Sequence, residues 1–314
     1  MPQSLPLPDQ IWLRHDLARV GLTPTDKGAD GEAEFVQIRH GAHTPKRAWE
    51  QLDDRGRYLA RLHATSAMLL NEPVLSHYSA AAVWNLVILG KWPRALHQVV
   101  PGDNSRSTPH IVRHRRTDPG PVVRKGSFLV TGAARTVTDL ASLTPFASGV
   151  LAADRALAAG LVTPAELEDE ALARAGQRGV RIVRAVVAAA DGRSESPGES
   201  LSRARMMQAR LPVPTLQQEF HDAEGFIGRC DFYWKEYQLV GEFDGRMKYG
   251  REFAELDSPE ERLWREKVRE DRLRALGLRV ARWVWSDALH GQPLIRILAG
   301  HGLDPLRTRA RFEP

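Results

Sequence analysis

One cysteine, Cys230, stands among 314 residues. A single thiol excludes an intrachain disulfide and any cysteine-built zinc cluster, and it fits a cytoplasmic location. No apolar run approaches the roughly 18 residues that suggest a membrane-spanning helix. The N-terminus lacks the basic-then-apolar order of a secretory signal. There is no fixed-period repeat and no low-complexity tract, and the alanine-rich stretches are plain helix composition. Aromatic residues make up only 7% of the chain, and its eight tryptophans are read chiefly as core.

What is present is an ordinary globular composition, long enough for two domains that each bury a core. The net charge is +5 and the pI about 9.5. All of the positive excess lies before residue 195. That asymmetry favours a first half that meets a polyanion, although a slightly basic soluble surface explains charge alone equally well. A turn-rich break, Asp191-Gly-Arg-Ser-Glu-Ser-Pro-Gly198, follows an alanine-rich helical stretch. It sets the expected division: a region 1–190, a linker 191–198 and a domain 199–314.

The most informative stretch lies in the second part. Gly228–Trp234 and Gln238–Asp244 are rich in aromatic and aliphatic residues and read as two arms of a β-hairpin. With Trp234 paired to Leu239, Asp231 falls opposite Glu242. Alternation then puts Asp244 on their face and Cys230, Phe232, Trp234, Leu239 and Phe243 on the other. Facing residues lie about 4.5–5.5 Å apart at Cβ, where like charges repel. Three carboxylates on one patch call for a cation, and Mg²⁺ or Mn²⁺ is the simplest candidate. Glu199 lies three residues after Ser196, with Pro197 between, which is equally a capping-box position. Pro259–Leu276 reads as a helix, with Asp271 on an apolar stripe of Trp264, Val268 and Ala275 and Arg282 as its expected partner. Lys267 sits about 40° round that helix from Asp271.

In the first part, Asp9–Val20 reads as a helix, Glu34–His40 as a strand, Arg55–Leu70 and Ser76–Leu86 as helices. Strands are expected at His97–Val100, His110–Arg115 and Ser127–Val130, followed by four helices up to residue 190. The run His110-Ile-Val-Arg-His-Arg-Arg116 is the strongest basic segment. Arg113, Arg115 and Arg116 are its candidate DNA-phosphate contacts, and a charged, solvated edge strand explains the run equally well.

Several segments resemble known families. Leu75-Ser-His-Tyr-Ser-Ala-Ala-Ala-Val-Trp84, His97-Gln-Val-Val-Pro101, Thr131-Gly-Ala-Ala-Arg-Thr-Val-Thr-Asp-Leu140 and Ala159–Leu167 resemble the N-terminal part of AbiEi-type antitoxins. That resemblance implies an α+β region beginning with a DNA-binding winged helix. The piece at the recognition-helix position, Thr23–Ala33, carries two glycines, a proline and net acidity, so the winged helix is degenerate.

In the second part, Ser196-Pro-Gly-Glu-Ser200, Arg229-Cys-Asp-Phe232, Val240-Gly-Glu-Phe-Asp-Gly245, Arg269-Glu-Asp-Arg272 and Leu278–Trp283 resemble the PD-(D/E)XK nuclease superfamily, closest to the DUF559 and very-short-patch-repair-like branch. The resemblance implies an α/β restriction-endonuclease-like domain, a mixed sheet flanked by helices, that cleaves DNA with Mg²⁺ or Mn²⁺. Asp231 and Glu242 match the metal-binding acids and Glu199 the acid of the first helix, with Asp244 as a further ligand. Asp244 stands where the superfamily's usual lysine would be, as in the branch's Glu-x-Asp-Gly form. Lys248 and Lys267 are then the candidate catalytic cations. A cognate toxin partner, and a role in phage defence, toxin–antitoxin control or repair, are implied by the resemblance alone. The rival reading is a non-catalytic regulator with an inactive nuclease fold.

Overall fold

The computed structural model describes residues 11–28, 31–102, 106–116, 120–245 and 259–305. The chain divides into two compact units. The first comprises 1–145 and 161–187, the second 146–160 and 188–314. Both are mixed α and β. The second unit therefore takes Phe146–Gly160, a stretch the turn-based division assigns to the first half. Among the described residues no helix is long and apolar enough to cross a membrane.

The first unit begins with β1 (Trp12–Leu13) and α1 (Arg14–Arg19), where a single helix over Asp9–Val20 is expected. A hairpin of β2 (Phe35–Arg39) and β3 (Ala42–Pro45) follows, and the three strands order as β1-β3-β2. Between α1 and β2 the described residues form turns and an isolated bridge, Lys27 to Ala33, with no helix. The chain continues through α2 (Lys46–Gln51), α3 (Asp54–Ser66), β4 (Val74–Leu75), α4 (His77–Val83), β5 (Leu96–Val100), β6 (Ile111–Arg115), β7 (Val122–Lys125) and β8 (Phe128–Thr131). These strands form a five-stranded sheet ordered β6-β5-β4-β8-β7, so the basic segment β6 is an edge strand. Tyr58, Leu59, Leu62, Leu75, Val83, Leu96, Phe128 and Val130 build its core. Then come α5 (Ala133–Leu143), α6 (Phe146–Ala158), α7 (Pro164–Ala173) and α8 (Val180–Ala189), of which α6 belongs to the second unit. Thr163 caps α7 with a full capping box to Glu166.

In the second unit, α9 (Pro197–Gln208) precedes β9 (Thr215–Asp222), β10 (Gly225–Trp234) and β11 (Leu239–Asp244). After α10 (Pro259–Ala275) come β12 (Arg279–Val284), α11 (Trp285–His290) and α12 (Gln292–Gly300). Trp285 follows β12 directly and starts α11. The sheet order is β12-β11-β10-β9, with β11 and β12 parallel and the other pairs antiparallel. The expected register holds: Trp234 pairs with Leu239. Phe232, Trp234 and Trp283 stack on one face of the sheet, and the Trp283 indole N–H donates to Ser202 Oγ on α9 at 2.7 Å. The other face carries Val240 and Val280 against Leu273 of α10. A buried ion pair, Arg203 to Asp154 at 2.6 Å, ties α9 to α6.

Candidate functional site

The acids of the second unit are placed by a fault in the sheet. The β10–β11 ladder covers Phe232 to Gly241, Tyr233 to Val240 and Trp234 to Leu239, and stops there. Where the next rung would form, the Phe243 amide donates instead to the Asp231 carboxylate, at 2.9 Å. Across β10, the pairing with β9 skips Asp231 and Gln217, between Cys230–Gln218 and Phe232–Leu216. Gln217 has φ +55°, a left-handed conformation rare for a residue with a side chain. Alternation breaks at this point. Cys230, expected beside Phe232 and Trp234, instead joins Val240 and Leu273 on the α10 face.

Asp231 and Glu242 consequently have different neighbours. Phe243 packs so closely on Gly198 of α9 that a Cβ there would lie 2.0 Å from its ring. Adjacent residues of a strand point to opposite faces, so Glu242 projects toward α10. There Arg269 donates to Glu242 Oε1 at 2.5 Å, and Arg282, the rung partner on β12, reaches Oε2 at 3.2 Å. Both arginines also pair with Glu266, and Arg282 with Glu270. The sequence reading missed Arg269 and gave Arg282 to Asp271. Asp271 is exposed, as are Trp264 and Val268, so the supposed apolar stripe is the solvent face of α10. The packed face is instead Leu273 with the stems of charged residues.

Asp231 meets Glu199 instead. Helix α9 begins at Ser196, whose Oγ accepts the Glu199 amide at 3.2 Å. The Glu199 carboxylate bends back to the Glu195 amide at 2.9 Å and accepts from Gln217 Nε2 at 2.8 Å. It thus does capping work, one residue upstream of the box position, while facing Asp231. The left-handed turn at Gln217 sets its amide between the two acids, and it also hydrogen-bonds Asp231. Burial, then the Glu199 charge, pushes the Asp231 carboxyl up to about 7. Burial likewise raises Glu199 above the ordinary carboxylate range. Among the described residues no cation forms an ion pair with either acid.

Asp244 ends β11 on the rung with Val284. Lys267 is exposed, its Nζ 5.9 Å from the Trp264 ring centroid. Lys248 lies outside the described residues. Among the described residues no three acidic, histidine or cysteine side chains form a ready metal cage. Within the set Glu199, Asp231, Glu242 and Asp244 the contacts differ, although the Glu242 charge also acts on Asp231. Asp231 and Glu199 meet, while Glu242 is held by arginines.

One arginine of the first unit's basic segment is committed inward. Arg116 reaches buried Asp139 at 3.1 Å, so it is an ion-pair partner before it is a phosphate contact. Arg113 donates to the Arg106 carbonyl at 2.5 Å, and Arg115 is exposed. Asp139 collects Arg174, Arg116 and Arg135 on one oxygen, with His77 Nε2 at 3.9 Å. The His77 and His114 rings stack at 3.5 Å, and His97 Nδ1 lies 3.0 Å from His114 Nε2. Stacked rings do not converge on a common point, so this trio is a packed network and no metal cage.

The chain is 29% identical over 193 residues to two uncharacterized proteins of Mycobacterium tuberculosis, from strains CDC 1551 and H37Rv. The match covers 62% of this chain and 68% of each relative. No family model and no solved structure matches it.

Proposed function

We propose that the second unit is an endonuclease-like domain of the PD-(D/E)XK and DUF559 kind that acts on DNA phosphodiesters with a divalent metal, and that the first unit is an AbiEi-like region with a degenerate winged-helix start. The observation that carries this is the Asp231–Glu199 pair: two buried carboxylates, drawn together by a broken ladder, with no paired cation among the described residues. Such a pair ionises poorly unless a cation joins it. The donors fit Mg²⁺ or Mn²⁺, which take carboxylate oxygens. Asp231 and Glu199 would hold the ion, with Asp244 or Glu242 as further oxygen donors. Bound there, it would supply an acidified water and polarise a phosphoryl oxygen. Gln217 orients both carboxylates, and the Phe243 amide fixes the second oxygen of Asp231. DNA is the proposed substrate; a cognate toxin follows from the resemblance alone, and a cytoplasmic setting from the single cysteine.

A specific observation favours the second reading, a non-catalytic antitoxin-like regulator. Both oxygens of Glu242 are engaged by Arg269 and Arg282, where a nuclease needs an acid free for metal. Incubation of the chain with supercoiled, linear and single-stranded DNA in Mg²⁺ or Mn²⁺ separates the two. Cleavage by the wild type that Asp231→Asn abolishes supports the nuclease. Intact DNA in every combination supports the regulator.

A further inference from the structure

The first unit carries a concentration of positive charge that the basic-run reading did not find. Trp49 of α2 packs with one face on the small core of Ile38, Ala42, Ala60 and Ala64. Two arginines of α3 lie over its ring, Arg57 at 5.5 Å and Arg61 at 5.2 Å from the centroid. They are four residues apart, so they share one helix face and sit about 6 Å apart along the axis. Arg57 Nε also donates to the Trp49 carbonyl at 3.4 Å, which ties the stem of the side chain down. Burial, then the charges of Arg94 and Arg57, holds the Arg61 guanidinium below its ordinary value. Arg57 and Arg61 are thus gathered over one ring, with Arg94 near enough for its charge to act on Arg61.

Little opposes them. Asp53 spends one carboxylate oxygen on the Gly56 amide as the cap of α3. Asp54 is exposed and contributes only a weak favourable charge to Arg61. Among the described residues no carboxylate forms an ion pair with Arg57, Arg61 or Arg94. This contrasts with Arg116, Arg124, Arg135 and Arg174 of the same unit, each of which is matched to an acid. Clustered cations repel, and an arriving anion relieves that repulsion.

We propose that the face formed by Trp49, Arg57, Arg61 and Arg94 binds the phosphate backbone of a nucleic acid. From the function proposed above it takes only that the partner is DNA, and it does not depend on the acid pair. Guanidinium groups stacked on an indole have lost much of their rotamer freedom, and their planar forks suit bidentate contact with phosphate. The helical spacing of Arg57 and Arg61 is on the scale of adjacent phosphates along one strand. An isolated carboxylate partner would satisfy one arginine and leave the others repelling. A regular row of anions satisfies all three.

The test uses the full chain, a short fluorescein-labelled DNA duplex and excess EDTA, so that metal and cleavage play no part. Anisotropy titrations across a salt series compare wild type with Arg57→Gln/Arg61→Gln. The expected result is a Kd raised about tenfold or more and a salt slope lowered by about 2, since each phosphate contact contributes about 0.9 on duplex DNA. Arg94→Gln, at an exposed position, should lower the slope by about 1. It serves as the readout if the double variant melts early. An unchanged Kd and slope in both variants would overturn the proposal. So would displacement of the duplex by polyglutamate at equal charge, which would assign the face to an acidic protein. Arg124→Gln, a surface arginine already matched to Glu72, should bind the duplex as wild type does, and the EDTA keeps the proposed nuclease site out of the readout.

Discussion

In the first unit a buried anion, Asp139, is enclosed by three guanidinium groups and a stack of histidines; in the second, Asp231 and Glu199 face one another with no paired cation among the described residues. Both arrangements gather side chains from distant segments. Asp139 on α5 meets Arg116 after β6 and Arg174 after α7. Asp231 on β10 meets Glu199 on α9 and Gln217 on β9. The first closes on itself, with charges matched and rings stacked, and behaves as a fold-defining network. The second leaves like charges crowded in a low-dielectric place, an arrangement that marks functional sites more often than structural ones.

The sharpest way to break the contrast is to remove the anion from each. Asp139→Ala leaves Arg116, Arg135 and Arg174 partly or wholly buried without it, and should cost about 3–5 kcal/mol in denaturant unfolding. Asp231→Asn should do the reverse. It relieves a crowded carboxyl while an amide oxygen still accepts from Phe243, so the metal-free protein at pH 8 should gain roughly 1–3 kcal/mol. A loss of stability in that variant would mean that the two acids are compensated after all.

The two units should also respond oppositely to pH. His63 and His97 are held neutral by burial, each with its pKa lowered to about 4, and burial also holds His77 well below its ordinary value. The unfolded chain takes up those protons near 6.5 while the folded one does not. The first unit therefore loses stability as pH falls from about 6.5 to 4, at up to about 1.4 kcal/mol per histidine per pH unit. For Asp231 the folded pKa of about 7 lies above the ordinary 3.8. Its unfavourable contribution grows as pH rises through that window and is absent below it. Hydrogen exchange read by mass spectrometry in EDTA, corrected for intrinsic rates, should show protection shifting in opposite directions in the two units. Parallel shifts would dissolve the comparison. The smallest effect is expected at Gln217. Gln217→Gly relieves the left-handed strain but removes the amide, so stability should change by no more than about 1 kcal/mol. The melting shift on adding Mn²⁺ should nevertheless shrink if that amide orients the acids.

Much of this was legible beforehand, and the failures share a cause. The hairpin register followed from aromatic alternation, and the cap of α9 followed from Ser196-Pro-Gly-Glu199. What could not be read was the break in alternation at Asp231. It depends on a left-handed glutamine in the neighbouring strand, and glutamine carries no local signal for that conformation. The stripe of Trp264, Val268 and Ala275 was misassigned because α10 buries the stems of charged residues, which a hydrophobic pattern does not count. Asp139 and Trp49 acquire meaning only through partners far away in sequence.

The interrupted ladder has one more consequence, for how the hairpin finds its alignment. Three rungs between β10 and β11 leave the two arms free to slide, and a slide of two residues would keep every side chain on its own face. The Asp231 carboxylate accepts an amide that, in the correct alignment, lies two residues beyond the last rung. In a hairpin slipped by two residues the Phe243 amide would move about 6–7 Å along the strand, out of its reach. The acid that spoils the sheet thus also works as its alignment mark, and Asp231→Ala should refold with more misaligned species than Asp231→Asn.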